Sequence, residues 1–247
     1  MRSTSRSAAN SPASRPPPDR PVDAVVLDLF GTLVAAPTPQ ERARAAARLA
    51  AVAGCDPAAV ERYFRATWLV RHDGTLPTPT DLATHLIRAV HGPDQAVGPV
   101  TDELLALGQA RLRPAPSVVH ALESLRGRGL RLGILSDASA EIAAAWPKSP
   151  LAALADAAVF SCQAKATKPD QRLYSRIRAE LGVPAHRTLY VGDGGGDELH
   201  GALAAGMAAV AVRRRGPANA LAFGDTDWSG PILDSAEHVP AYLAEQA

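Results

Sequence analysis

The chain has 247 residues, 47% of them hydrophobic, enough for one α/β domain with a smaller insertion. A formal net charge of +1 supplies neither the basic footprint that nucleic-acid binding needs nor an acidic tail, and no apolar run approaches the roughly 18 residues of a membrane span. The two cysteines, Cys55 and Cys162, form no CxxC pair, which argues against a disulfide framework and suits a reducing, cytoplasmic setting.

Residues 1–21 are rich in Ser, Arg, Ala and Pro and lack an apolar stretch, so they read as a disordered leader and not as a secretory signal. The run Ala24-Val25-Val26-Leu27-Asp28-Leu29-Phe30 is apolar except for one acid, as expected of a parallel strand buried on both faces, and Gly31-Thr32 ends it. An acid at that end of a buried strand is costly unless it is paired or used. Thr38-Pro39-Gln40-Glu41 is a capping box with proline at the first helical position, opening a helix through 42–52 that Gly54 stops. Asp56-Pro57 opens a second helix, on which Val60, Tyr63, Phe64, Thr67 and Trp68 recur at helical spacing. The segment 71–75 reads as a loop, and further helices are expected over 81–90 and 101–112.

Strand and helix patterns then alternate. Helices are expected over 117–127, 170–181 and 197–205, and strands over 131–136, 157–161, 189–192 and 208–212. Ile232-Leu233 reads as a final edge strand, followed by a short helix over 238–245. The predicted fold is α/β: a Rossmann-like parallel sheet with helices on both faces, formed by 22–35 and 115–247, with a smaller all-helical cap over 36–114.

Four polar signals sit at or just past the C-terminal ends of these strands: Asp28-Leu29-Phe30-Gly31-Thr32-Leu33, Ser136-Asp137, Lys168-Pro169-Asp170 and Gly192-Asp193-Gly194-Gly195-Gly196-Asp197. Singly, each has an ordinary explanation as a turn, a helix start or a paired acid. A parallel sheet gathers its strand ends along one edge, so together they point to one crevice. Asp28, Asp193 and Asp197 would then repel one another, and Lys168 alone cannot neutralise them. A hard divalent cation bound by oxygens would, with Mg²⁺ the expected ion. The glycines at 194–196 allow close backbone approach, and the amides of Phe30 and Gly31 could hold ligand oxygens.

This ordered set resembles the haloacid dehalogenase superfamily, whose pattern is Asp-x-Asp-Gly-Thr, then Ser or Thr, then Lys, then Gly-Asp-x-x-x-Asp. The resemblance covers about 23–34 and 131–213, and the helical stretch between the first two motifs lies where that superfamily carries a helical cap. It implies that Asp28 is a nucleophile, that Ser136 donates a hydrogen bond to the transferred group, and that Lys168 screens the charge. It further implies that Asp28, Asp193, Asp197 and the carbonyl of Phe30 hold Mg²⁺, with Thr32 ordering the loop that carries Asp28.

Phe30 departs from the pattern. In phosphatases of the family an Asp there protonates the leaving group, whereas in its haloacid dehalogenases the position is aromatic, because a halide leaves without a proton. The acid pair of the fourth motif points the other way. The favoured reading is a Mg²⁺-dependent phosphatase of a small, anionic phosphate monoester. Hydrolysis of a carbon–halogen bond in a 2-haloacid is the alternative, and a ligand-binding homologue without turnover is the third reading. His72, Asp73 and Asp137 are candidates for the missing acid. Arg65 or Arg71 would meet a substrate carboxylate. Arg213-Arg214-Arg215 and Asp225-Thr226-Asp227 read as solvated loop and turn, and Trp146 and Trp228 as packing residues.

Overall fold

The computed structural model describes residues 21–213 and 228–246; the leader expected over 1–21, apart from Pro21, and Arg214-Arg215 and the turn at 225–227 lie outside the described residues. The apolar run around Val25 forms β1 (Ala24–Leu27), buried at every position. Helices α1 (Pro39–Ala53), α2 (Pro57–Ala66), α3 (Trp68–His72), α4 (Pro79–Ala89), α5 (Val97–Arg111) and α6 (Pro116–Gly127) follow. The chain continues through β2 (Arg131–Ser136), α7 (Ala140–Ala145), β3 (Ala157–Phe160), α8 (Ser161–Ala164), α9 (Gln171–Leu181), β4 (Thr188–Gly192) and α10 (Glu198–Ala204). It closes with β5 (Ala208–Val212), β6 (Ile232–Leu233) and α11 (Val239–Glu245).

The six strands form one parallel sheet in the order β3-β2-β1-β4-β5-β6. The fold is therefore the Rossmann-like α/β arrangement expected from the alternating pattern. Side chains alternate across the sheet because the strand period is two. Val25, Leu27, Ile134 and Val191 face a cluster completed by α6, α7 and α11. Val26, Leu135, Tyr190 and Ala209 face a second one completed by α9 and α10. With both faces covered, β1 has no side open to water, which accounts for its unbroken apolar run.

The helices between β1 and α6 pack around a third cluster, including Leu49, Val60, Leu82, Leu86 and Val100, that shares no member with the other two. Local signals fix their ends. Thr38 and Glu41 cap α1 reciprocally, Gly54 ends it in the left-handed conformation (φ 68°), and the Asp56 side chain caps α2. Each such cap is worth about 1 kcal/mol. This helical insert meets the sheet region where α5 lies against α7. A Cβ on Gly108 would stand 2.9 Å from the Glu141 carbonyl oxygen, so only glycine permits that approach.

Two local expectations need correction. Arg71 and His72 are not in a loop: they close α3, and the turn begins only at Asp73. The helical run breaks earlier, at Thr67, whose hydroxyl donates to the Tyr63 carbonyl (2.7 Å). Helix α7 was not anticipated, because Ala140–Ala145 is too short and too rich in alanine to show a period.

Candidate active site

Asp28 continues the β1 ladder by donating its amide to the Val191 carbonyl, which sets its side chain at the C-terminal edge of the sheet. It is buried (4% exposed), and both carboxylate oxygens have partners. Lys168 Nζ donates to Oδ1 at 2.7 Å, and Thr32 Oγ1 donates to Oδ2 at 3.1 Å. Lys168 also donates to Glu198, which has no exposed surface. Burial alone would lower the lysine pKa, but Asp28, Glu198 and Asp137 together hold it well above the ordinary value, so the ammonium is permanently charged.

Glu198 takes the place in the cluster that the sequence pattern gave to Asp197. Asp28, Asp193 and Glu198 each offer a carboxylate oxygen, and these lie within 4.8 Å of one another. The glycine loop explains the exchange. Gly196 and Asp197 both have positive φ (64° and 54°), which turns Asp197 outward onto His200 Nδ1 (2.7 Å) and brings Glu198 inward at the start of α10. Tyr190 OH and the Gly194 amide donate to the two oxygens of Glu198 (2.8 and 3.0 Å). Burial, reinforced by Asp28 and Asp193 and opposed by Lys168, raises the Glu198 pKa to about 8.

Glycines make the cluster sterically possible. A Cβ on Gly192 would fall 2.1 Å from Glu198 Oε1, and one on Gly31 (φ +91°) 2.2 Å from Asp193 Oδ2. One lysine does not keep three clustered carboxylates charged, which is why Glu198 holds its proton up to about 8 without further positive charge, and an all-oxygen donor set suits a hard divalent cation that would supply it. The residues present therefore fit such an ion.

Ser136 ends β2, buried, and lines the same cleft as Asp28. Asp137 follows it, its Oδ1 accepting from the Lys168 amide (3.0 Å). Burial, only partly offset by Lys168, raises the Asp137 pKa to about 6. The cleft has a volume of about 970 Å³ and runs between the sheet edge and the helical insert. Arg71, His72, Arg65 and Arg111 line it from the insert side, and Asp73 does not. Arg71 is buried, donating to the Phe64 carbonyl (3.0 Å) and to Thr67 (3.3 Å).

His72 departs from the role considered for it. It is buried against Trp68, with ring centroids 4.6 Å apart, and its Nδ1 is 2.6 Å from the Trp68 carbonyl, so that nitrogen carries the proton. Burial, and then the Arg71 charge, lower its pKa to about 3, so it is neutral at pH 7 and no proton donor there. A base kept neutral in the fold takes up its proton in the unfolded chain first, below about pH 6.5. Its share of stability is thus fully present above that pH and is lost as pH falls toward 3. At pH 5 the expected loss relative to pH 7 is about 2 kcal/mol. His72→Gln should show a correspondingly flatter urea-unfolding profile between pH 7 and 5. Parallel profiles for the two proteins would contradict the shift.

The remaining residues behave simply. Arg213 pairs with Asp234 on the surface (3.2 Å), Trp146 packs edge-on against Phe160, Trp228 packs against His200, and both cysteines are free. Among the described residues no helix is long and apolar enough to cross a membrane.

Comparison with known proteins gives a consistent family and a divided activity. A family profile described as haloacid dehalogenase-like hydrolase matches residues 22–206. The chain is 36% identical over 138 residues to Phosphatase MT3486 of Mycobacterium tuberculosis, a match covering 55% of this chain and 63% of that protein. It is 28% identical over 213 residues to (S)-2-haloacid dehalogenase H-109 of Pseudomonas putida, covering 80% and 88% of the two chains. Among solved structures, a HAD phosphatase from Thermococcus onnurineus superposes with a TM-score of 0.63 at 18% identity, covering 90% of this chain and 98% of that one. The chain thus spans just under two thirds of the phosphatase relative and most of the dehalogenase.

Proposed function

The chain belongs to the haloacid dehalogenase-like hydrolases, and within them we propose that it is a Mg²⁺-dependent phosphatase of a small phosphate monoester. The observation that carries this reading is the cluster of Asp28, Asp193 and Glu198, whose carboxylate oxygens lie within 4.8 Å of one another, with the buried Lys168 paired to Asp28 and Glu198. Asp28, Asp193 and Glu198 would hold the cation, with the Phe30 carbonyl as a further oxygen; Asp197, turned toward His200, is left out of the ligand set. When bound, the ion neutralises phosphoryl oxygens that Lys168 alone cannot.

In this mechanism the Asp28 carboxylate, oriented by Lys168 and Thr32, attacks phosphorus in line with the leaving oxygen. A bond forms between Asp28 and phosphorus as the ester bond breaks, and water then hydrolyses the aspartyl-phosphate. Ser136 and the Phe30 amide meet the transferred group, while the Gly31 amide, also expected to do so, donates to the Val34 carbonyl (2.7 Å). The leaving alkoxide needs a proton that Phe30 cannot give and neutral His72 does not hold. Asp137 lines the cleft, and its pKa of about 6 keeps a fraction protonated near neutrality, so it takes the role of acid.

The test is phosphate release from nitrophenyl phosphate and from an alkyl phosphate, with Mg²⁺ and after chelation, beside chloride release from 2-chloropropionate. The expected result is phosphate release that chelation abolishes and Mg²⁺ restores. Asp137→Asn should slow the alkyl ester roughly 10²-fold or more and the nitrophenyl ester, with its good leaving group, much less. Metal-independent chloride release would overturn the phosphatase reading in favour of the dehalogenase. That second reading is supported by Phe30 itself and by the similarity to the P. putida enzyme. No hydrolysis of any kind, with ligand binding intact, would leave the reading of a binding homologue.

A further inference from the structure

We infer that Arg111 and Glu141 form a recognition site for the leaving portion of the substrate, taking a carboxylate at Arg111 and, beside it, a hydroxyl or ammonium at Glu141. The inference rests on the reading of Asp28 as the group that attacks, and it names what lies on the far side of the bond Asp28 breaks.

Glu141 lies in the first turn of α7, is only 6% exposed, and lines the cleft. Its Oε1 accepts from Ser139 Oγ at 2.7 Å, while Oε2 is buried and has no hydrogen-bond partner. Buried carboxylate oxygens are normally satisfied, and an orphan on a residue that lines a cleft calls for a donor from whatever is bound there. Arg111 ends α5 on the other wall. Its guanidinium lies over the Phe30 ring, 4.3 Å from the centroid, and makes no hydrogen bond or ion pair among the described residues. Its five N–H donors are thus available in a fork that suits a carboxylate.

Charge supports the pairing. Arg71 and Arg111 both feel the field of Glu141, and no other acid appears beside Arg71. With Glu41 and Arg42, which also act on Arg111, three guanidinium groups stand against two carboxylates and leave one positive charge, which an anionic group completes. The surplus positive charge selects an anion and the orphan oxygen selects a donor, which together describe a hydroxy- or amino-carboxylate. The platform fixes the scale. Phe30 is two residues past Asp28, and Asp28, Phe30 and Arg111 line one cleft, so a single small molecule has both groups within its surroundings. This gives Phe30 a use other than the acid it replaces: its ring seats Arg111.

The test uses the full chain carrying Asp28→Asn, so that bound ligands persist, in Mg²⁺. Calorimetric titrations compare 3-phosphoglycerate, O-phosphoserine, glycerol 3-phosphate (no carboxylate) and the phosphate ester of 3-hydroxypropionate (no donor beside the carboxylate). The two complete ligands are expected to bind at least tenfold tighter than either incomplete one. Arg111→Met should erase the preference over glycerol 3-phosphate. Glu141→Leu should erase the preference over the hydroxypropionate ester. Glu141→Gln, of the same shape, serves if the leucine variant does not fold, and should cut the affinity for phosphoserine more than that for phosphoglycerate. Equal affinities for all four ligands, or preferences unchanged in the variants, would overturn the site. Phosphate release by the unsubstituted protein separates the two ideas. Preferences without turnover sink the phosphatase reading and keep the site, and turnover without preferences does the reverse.

Discussion

Asp28→Asn is expected to lower Mg²⁺-dependent phosphate release by at least about 10⁴-fold. The amide oxygen of asparagine is uncharged and a far weaker nucleophile, and no neighbouring carboxylate is placed to substitute. Glu198 is fully buried, held by Tyr190, Gly194 and Lys168, and Asp193 lies against Gly31. The loss should be in kcat and not in folding. Asparagine can still accept from Lys168 or Thr32, and one member of a mutually repelling acid cluster is gone, so the melting temperature should move by no more than about 3 °C. Retention of more than a few per cent of activity in a folded variant would show that another group attacks.

Lys168→Met has the larger consequence for stability. Among the described residues the ammonium is the one positive charge in contact with Asp28 and Glu198, at 8% exposure, and methionine leaves these acids buried without a counter-charge. Breaking a buried pair from one side costs about 3 kcal/mol or more, and for a domain of this size that is roughly 6–12 °C of melting temperature. Turnover should fall by at least about 10²-fold, because the oxygen aligned by Lys168 loses its partner and the phosphoryl charge loses its screen. Added Mg²⁺ should raise the melting temperature of this variant more than that of the unsubstituted protein, since the cluster it enters is more negative. A variant as stable as the parent in metal-free buffer would mean that the carboxylates already carry protons there and that the cation argument is weaker than the charges suggest.

Much of this arrangement could be read in the sequence, for local reasons. The parallel sheet was legible because β1, β2, β4 and β5 are short apolar runs separated by helix-length segments. Helix α1 was legible because Thr38-Pro39 and Gly54 mark its ends. That Asp28, Ser136 and Lys168 share one cleft was legible because they follow one another as an ordered set along a parallel sheet, although α8 separates Lys168 from the end of β3. What was hidden depended on backbone turns and burial. Asp197 and Glu198 are adjacent acids, and which of them faces the cluster is decided by two consecutive positive φ angles that spacing alone does not disclose. The residue pair Asp73-Gly74 has the composition of a turn, and its influence was extended two residues too far, over Arg71 and His72. The burial of His72 goes with its stacking on Trp68, one turn earlier in α3, against the cleft, and the burial of Glu141 with the approach of α5 to α7 at Gly108. How deeply either side chain lies is set by packing between segments, which local pattern does not disclose.

The separate packing of the helical insert also bears on how such a protein changes over generations. Every group proposed to make or break bonds comes from the sheet edge, while Arg71 and Arg111 come from helices that settle around their own apolar cluster. Substitutions among those helices can redraw what the cleft accepts without disturbing the packing under Asp28. Heritable variation in preference is thereby uncoupled from variation in bond chemistry, except at the seams where the insert meets the sheet region, the tightest being Gly108 against Glu141. Randomising α3 and α5 while holding Gly108 fixed is the economical route to a new specificity on this scaffold.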